Sequence, residues 1–246
     1  MNILQFDSAA AWTAGVAALW RDRLRTKPEL KMCLPTGLTP LSVYAEMIRS
    51  VRGGHASFAR ASVFALDEFG GLPRDDPGRT SHTLRRELIG AVDLPPPAFH
   101  TLDPDVADVE THCAAYEAAI GDGFDLVLLG IGTNGHLGMN EPGASATSPT
   151  RRVDLHESTI RASARYFAHQ NLPRWGLTVG LQRILSAREV WVLATGSGKA
   201  DIVQRTIDGD VTQDNPASLL RAHPNCSFFL DSEAARAWRQ NAGGNA

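Results

Sequence analysis

The sequence predicts a single-domain α/β fold, a mostly parallel sheet with helices on both faces, and a small lid over about residues 144–175. Three observations carry that expectation. Short apolar runs recur at Leu30–Leu34, Ser62–Leu66, Leu126–Leu129 and Val190–Ala194, with helical patterns between them. Each run ends on a cluster of polar residues and glycines, and parallel strands would bring all four clusters to one edge of the sheet. Finally, 246 residues contain no internal repeat, no low-complexity segment and no convincing linker, which favours one large domain.

Taken in order, residues 2–6 form a short edge strand, and Ser8 caps a helix to about Arg25 whose apolar face is Trp12, Val16, Leu19 and Trp20. The strand Leu30–Leu34 runs through Pro35-Thr36-Gly37-Leu38-Thr39-Pro40 into a helix over about Leu41–Val51. Ser62–Leu66 ends on Asp67-Glu68-Phe69-Gly70-Gly71-Leu72, and a helix runs from the turn at Asp75–Ser81 to about Ala91. Pro95-Pro96-Pro97 is a stiff connector. Asp105 or Asp108 opens a helix to Ile120, ahead of the buried strand Leu126–Leu129. Beyond Gly143 come a polar stretch, a short strand at Val153–Leu155 and a helical segment from Ser158 to Phe167 carrying Arg161 and Arg165. This segment has the composition of a lid. A helix over Thr178–Leu185, the strand Val190–Ala194, a helix after Lys199, the strand Ser227–Leu230 and a short terminal helix complete the chain.

Composition narrows the function. A net charge of −3 argues against a nucleic-acid binder that works by bulk electrostatics. The N-terminal stretch lacks a basic region before an apolar core, so it reads as neither signal peptide nor membrane span, and a cytoplasmic location is expected. Cys33, Cys113 and Cys226 are too few for a disulfide framework; Cys33 and Cys226 sit in apolar runs and read as buried thiols.

The chemistry concentrates in Asp125–Gly143. Past the strand, Gly130, Gly132, Gly135 and Gly138 surround Asn134 and His136, with Glu141 following. Gly130, Gly132 and Gly135 satisfy the dinucleotide pattern G-x-G-x-x-G, but no helix starts within it, because Gly138 and the Asn140–Gly143 turn follow. No second histidine stands at a metal-ligand spacing. Left alone, His136 could simply satisfy local hydrogen bonds; the other strand ends argue for more. Thr36–Thr39, between a strand and a helix start, offers backbone N–H groups and two hydroxyls to an anion, or is a plain connection capped by Thr39. Thr195-Gly196-Ser197-Gly198-Lys199 suits a sugar phosphate but is not a nucleotide P-loop: Leu193 stands where its first glycine would, and Ala200 where its Ser or Thr would. Of the adjacent acids Asp67 and Glu68, one should face the crevice and the other make a supporting contact.

Taken together, the segments Leu34–Pro40, Leu66–Leu72, Gly130–Pro142 and Gly196–Lys199 resemble the glucosamine-6-phosphate deaminase family, related to the 6-phosphogluconolactonases, in order and spacing from about residue 30 to 230. The resemblance implies a Rossmann-like fold and conversion of glucosamine 6-phosphate and water to fructose 6-phosphate and ammonia, without metal or organic cofactor. It implies a catalytic set of Asp67, His136, Glu141 and Asn134. Asp67 would move the proton from C2 to C1; His136 would open the sugar ring; Glu141 would tune the imidazole. Thr36, Gly37, Leu38, Thr39, Arg165 and Lys199 would hold the phosphate. The chain departs from the family at Asn134, where some members carry Asp, and at Leu38, where Ser or Gly is usual. Arg151 matches an arginine of the allosteric members, but Val153 replaces their lysine, so weak or absent activation by N-acetylglucosamine 6-phosphate is expected. The partner is a small-molecule sugar phosphate; a homo-oligomer is possible. The competing readings are a 6-phosphogluconolactonase, which needs no enolising base, and a sugar-phosphate-sensing module, for which Asp67, His136 and Glu141 together are more than binding requires.

Overall fold

The computed structural model describes residues 1–167 and 171–238. In chain order its elements are β1 (Asn2–Phe6), α1 (Ala9–Thr26), β2 (Lys31–Leu34), α2 (Leu41–Arg52), β3 (Ser62–Ala65), β4 (Asp67–Phe69), α3 (Thr80–Glu87), β5 (Phe99–His100), α4 (Val109–Ile120), β6 (Leu126–Gly130), β7 (Arg151–Asp154), α5 (Glu157–Ser163), β8 (Trp175–Thr178), α6 (Leu181–Leu185), β9 (Glu189–Ala194), α7 (Ala200–Asp208) and β10 (Cys226–Asp231).

Seven strands form a parallel sheet in the order β1-β10-β9-β6-β2-β3-β5. From β2 the chain steps outward to β3 and β5, then returns to place β6 on the other side of β2. Connections leaving β2 and β6 therefore diverge, and the crevice between them is where such sheets receive ligands. Alternation along the strands divides the core into two layers. Met32 and Leu34 pack with Trp12 and Trp20 of α1 and Tyr44 and Met47 of α2, while Cys33 joins the opposite layer with residues of α4, α6 and α7. The Trp20 indole, fully buried, donates to Met32 Sδ at 3.0 Å and meets Phe58 edge-on. All three cysteines are free and buried. Among the described residues, no helix is long and apolar enough to cross a membrane.

The caps at Ser8 and Asp108 form as the sequence suggests: Ser8 Oγ accepts from the Ala11 N–H, and Asp108 accepts from the Thr111 N–H at 2.9 Å. Thr39 does not cap α2; Pro40 holds that position and no side chain bonds the helix start. The Thr178–Leu185 expectation is corrected as well. Trp175–Thr178 is the middle strand of a second, antiparallel sheet, paired on one side with β4 and on the other with β7, and the helix begins only at Leu181. The reason is tertiary: two partners overrode a local apolar run that could serve either structure. Asp67–Phe69, expected as loop, is the edge strand of that sheet. The short strand sits at Arg151–Asp154 rather than Val153–Leu155, and the helical segment after it is α5 followed by a single turn of tight helix at Ala164–Tyr166. Phe69, Leu72, Met139, Leu155 and Ile160 form a separate small core under this sheet. The last residues of the expected terminal helix lie outside the described residues.

Candidate active site

The two adjacent acids at the end of β3 take opposite directions. Glu68 turns inward to the start of α3, accepting N–H bonds from Phe69 (2.9 Å), Thr80 (2.8 Å) and Ser81 (3.0 Å). A carboxylate there satisfies orphan amides and complements the positive end of the helix. Thr80 in turn donates its hydroxyl to the Asp67 carbonyl, pinning the backbone at the sheet edge. Asp67 is thereby left to line a cavity, and no described residue donates a hydrogen bond to its carboxylate. Burial, reinforced by the neighbouring charge of Glu68, pushes its pKa from 3.8 up to about 7.

The glycine-rich connection after β6 places His136 on the same cavity. Gly132 lies against the imidazole, where a Cβ would come within 2.3 Å of the ring, so the close approach needs glycine. His136 Nδ1 is 3.2 Å from Thr159 Oγ1 and 3.5 Å from Glu141 Oε2. Asn134 does not bond the ring. Its amide donates to Glu141 Oε2 at 2.9 Å, and its carbonyl accepts the His136 N–H at 3.2 Å, so it braces the loop and the carboxylate together. Glu141 Oε1 accepts the His156 N–H at 3.3 Å, ahead of α5. Burial alone would raise the Glu141 carboxyl; hydrogen bonds and charge from His136, with hydrogen bonds from Thr159 and Asn134, outweigh it and hold the group at about 2.

The far end of the cavity gathers a strand-to-helix loop and two cations. Thr36, Gly37, Leu38 and Thr39 line the cavity between β2 and α2, with the preceding carbonyl of Pro35 tied to Tyr44 Oη at 2.6 Å. Gly37 has a φ of +113°, a conformation that a side chain would resist. Lys199 reaches in from the end of β9 and donates to the Ile131 carbonyl at 2.7 Å; burial, and then the Arg165 charge, lower its pKa. Arg165 arrives from the turn after α5, held by the Ala162 carbonyl at 2.7 Å. The chain thus brings Asp67, His136, Thr36, Gly37, Leu38, Thr39, Arg165 and Lys199 to one cavity, while Glu141 and Asn134 stand behind the histidine.

Sequence reasoning missed Thr159, and it missed Tyr166, which lines the cavity beside the Thr36–Thr39 loop. The only available signal for Tyr166 was its place beside Arg165. Thr159 had none, because its approach to His136 depends on how α5 seats through Ile160 on Phe69, Leu72, Met139 and Leu155.

A parallel sheet with a buried acid, an imidazole, a glycine-turned loop and two cations around one cavity at its switch point defines an α/β protein with a single composite site there. The family of glucosamine-6-phosphate isomerases and 6-phosphogluconolactonases matches residues 5–228, and the chain belongs to it. Its relatives include the glucosamine-6-phosphate deaminases of Shouchella clausii, 36% identical over 98% of this chain and 99% of that one, and of Beutenbergia cavernae, 42% identical over 96% and 92%. A solved monomeric glucosamine-6-phosphate deaminase superposes with a TM-score of 0.93 at 33% identity, covering 96% of this chain and 100% of that one. The 6-phosphogluconolactonase of Trypanosoma brucei, 21% identical with a TM-score of 0.74 over 96% of this chain and 97% of its own, shares the fold.

Proposed function

We propose that the chain is a glucosamine-6-phosphate deaminase, converting glucosamine 6-phosphate and water to fructose 6-phosphate and ammonia. The observation that carries this reading is the shared cavity of Asp67, His136, Thr36–Thr39, Lys199 and Arg165. The loop amides and the two cations take the phosphate, which fixes the sugar and converts later steps into intramolecular ones. His136 moves a proton at the ring oxygen and opens the ring. Asp67 then takes the C2 proton and returns it at C1, leaving an imine at C2 that water hydrolyses to the ketone and ammonia. A base serves best with a pKa near the working pH, and Asp67 at about 7 meets that condition. Glu141, ionised at any working pH, stabilises the imidazolium that forms during ring opening.

The segment at about residues 144–175, of which 168–170 lie outside the described residues, acts as a lid that closes on the substrate and keeps water from the enol intermediate. We place the enzyme in the cytoplasm, acting in amino-sugar catabolism, with activation by N-acetylglucosamine 6-phosphate weak or absent because Val153 replaces the activator lysine. The test is purified protein against a panel of hexosamine 6-phosphates, including the galactosamine epimer, scored for ammonia and ketose phosphate. Hydrolysis of 6-phosphogluconolactone without ammonia release from any hexosamine phosphate would replace this reading with the lactonase one.

A further inference from the structure

Lys199 stands at the end of a bare loop. A Cβ added at Gly196 or Gly198 would meet no neighbouring atom within 4 Å, and Ser197 is exposed. Side-chain packing therefore does not shape the turn from Gly196 to Gly198, and its form rests on hydrogen bonds. The turn is tied at Gly196, which adopts a φ of +83°. Its N–H is shared between the two carboxylate oxygens of Asp231, at 3.1 Å and 3.0 Å, and its carbonyl takes the Lys199 N–H at 3.1 Å. Asp231 is itself firmly held. It ends β10, which pairs with β9 on one side and β1 on the other, it is 9% exposed, and its Oδ1 also takes the Ala234 N–H at 2.8 Å. It lines a second hollow, with Thr13, Thr39 and Ser42, and not the cavity of Asp67 and His136.

We infer that Asp231 is a positioning residue for Lys199: the carboxylate fixes Gly196, Gly196 fixes the Lys199 backbone, and the ammonium is thereby set where it meets both the Ile131 carbonyl and the substrate phosphate. A lysine carries its charge on a flexible stem, so the tip is placed only as well as its root. The bond to the Ile131 carbonyl, at 2.7 Å, uses one ammonium proton; the others reach a phosphate only if the root stands close enough. α7 secures the far side of that root through buried Ala200 and Val203, which leaves the near side to Asp231 on the rigid sheet. The inference rests on Lys199 holding the phosphate.

The experiment is a double-mutant cycle of Asp231→Ala and Lys199→Met in the full chain, reading fructose 6-phosphate binding by calorimetry and glucosamine 6-phosphate kinetics, with thermal unfolding recorded for each protein. Alone, Asp231→Ala is expected to weaken binding and raise KM by roughly tenfold, the scale of one lost hydrogen bond to a charged group, with kcat within about threefold of wild type. On the Lys199→Met background the same substitution should cost less than about twofold, because the ammonium it placed is gone. Asp231→Asn, whose carbonyl oxygen still accepts the Gly196 N–H, is expected to recover most of the lost affinity. Should alanine disturb folding, Asp231→Leu repeats the cycle at nearly unchanged volume without an acceptor. Equal losses with and without Lys199, asparagine binding as poorly as alanine, or full affinity in the alanine variant overturns the assignment. A Lys199→Met protein that binds as tightly as wild type overturns it together with the phosphate role of the lysine. A wild type that binds the sugar phosphate and releases no ammonia sinks the proposed activity, while the binding cycle still decides the role of Asp231.

Discussion

Asp67→Asn separates what the buried acid does for catalysis from what it costs the fold. The carboxyl has its pKa raised from 3.8 to about 7, chiefly by burial and further by Glu68, and it is only 9% exposed. A group whose folded pKa lies above its unfolded value contributes stability that is complete below the unfolded value and is lost as pH rises through the folded one. Here the window is pH 3.8 to about 7, and the difference of about three pH units at 1.36 kcal/mol each is on the order of 4 kcal/mol. Asparagine cannot ionise. Relative to wild type, the variant should therefore gain stability as pH rises across that window, by an amount approaching a few kcal/mol at pH 8, while losing deaminase activity. Urea denaturation at several pH values, compared through the midpoint at constant slope, measures the effect. A stability difference that stays constant with pH, or a wild type that gains on the variant toward alkaline pH, would refute the reasoning.

Other expectations follow from the same geometry. The base must be ionised to act, so kcat/KM should fall as pH drops through about 7, giving an acid limb there in a pH–rate profile. Glu68→Gln removes the neighbouring charge and weakens three amide contacts at the start of α3; the limb should move to lower pH, and thermal unfolding should show a loss of about 1–3 kcal/mol. Lys199→Met deletes a half-buried cation beside Arg165, and steady-state kinetics should show KM for the phosphorylated substrate rising by roughly tenfold to hundredfold. Substrate curves should remain hyperbolic with or without N-acetylglucosamine 6-phosphate, and a steep, activator-sensitive curve would contradict the reading of Val153.

How much of this was legible beforehand differs by element. The central sheet was readable because strands buried on both faces are continuous apolar runs, and the polar clusters at their ends stood out against them. The divergence of Asp67 and Glu68 also followed from local reasoning, since two adjacent side chains on an extended backbone point to opposite sides. The second sheet was not readable. Asp67-Glu68-Phe69 has no strand composition, and it pairs only because β8 lies beside it, far away in sequence. Phe99–His100 is too short to carry a pattern and was hidden behind a proline run. Asn134 was understood as a neighbour of His136; its carbonyl does take the His136 backbone N–H, but its amide goes to Glu141 and not to the ring, a matter of side-chain direction that spacing does not encode. Thr39 looked like a cap by residue type, and only the backbone shows Pro40 in that position.

The central claim is that one carboxylate, Asp67, carries the proton between adjacent carbons of a sugar held by its phosphate. Its most direct test follows glucosamine 6-phosphate with wild type and Asp67→Asn side by side, recording ammonia, fructose 6-phosphate and substrate affinity. The account predicts equal amounts of both products from wild type and neither from the variant, with substrate still bound. Ammonia released by the variant at the wild-type rate would contradict it.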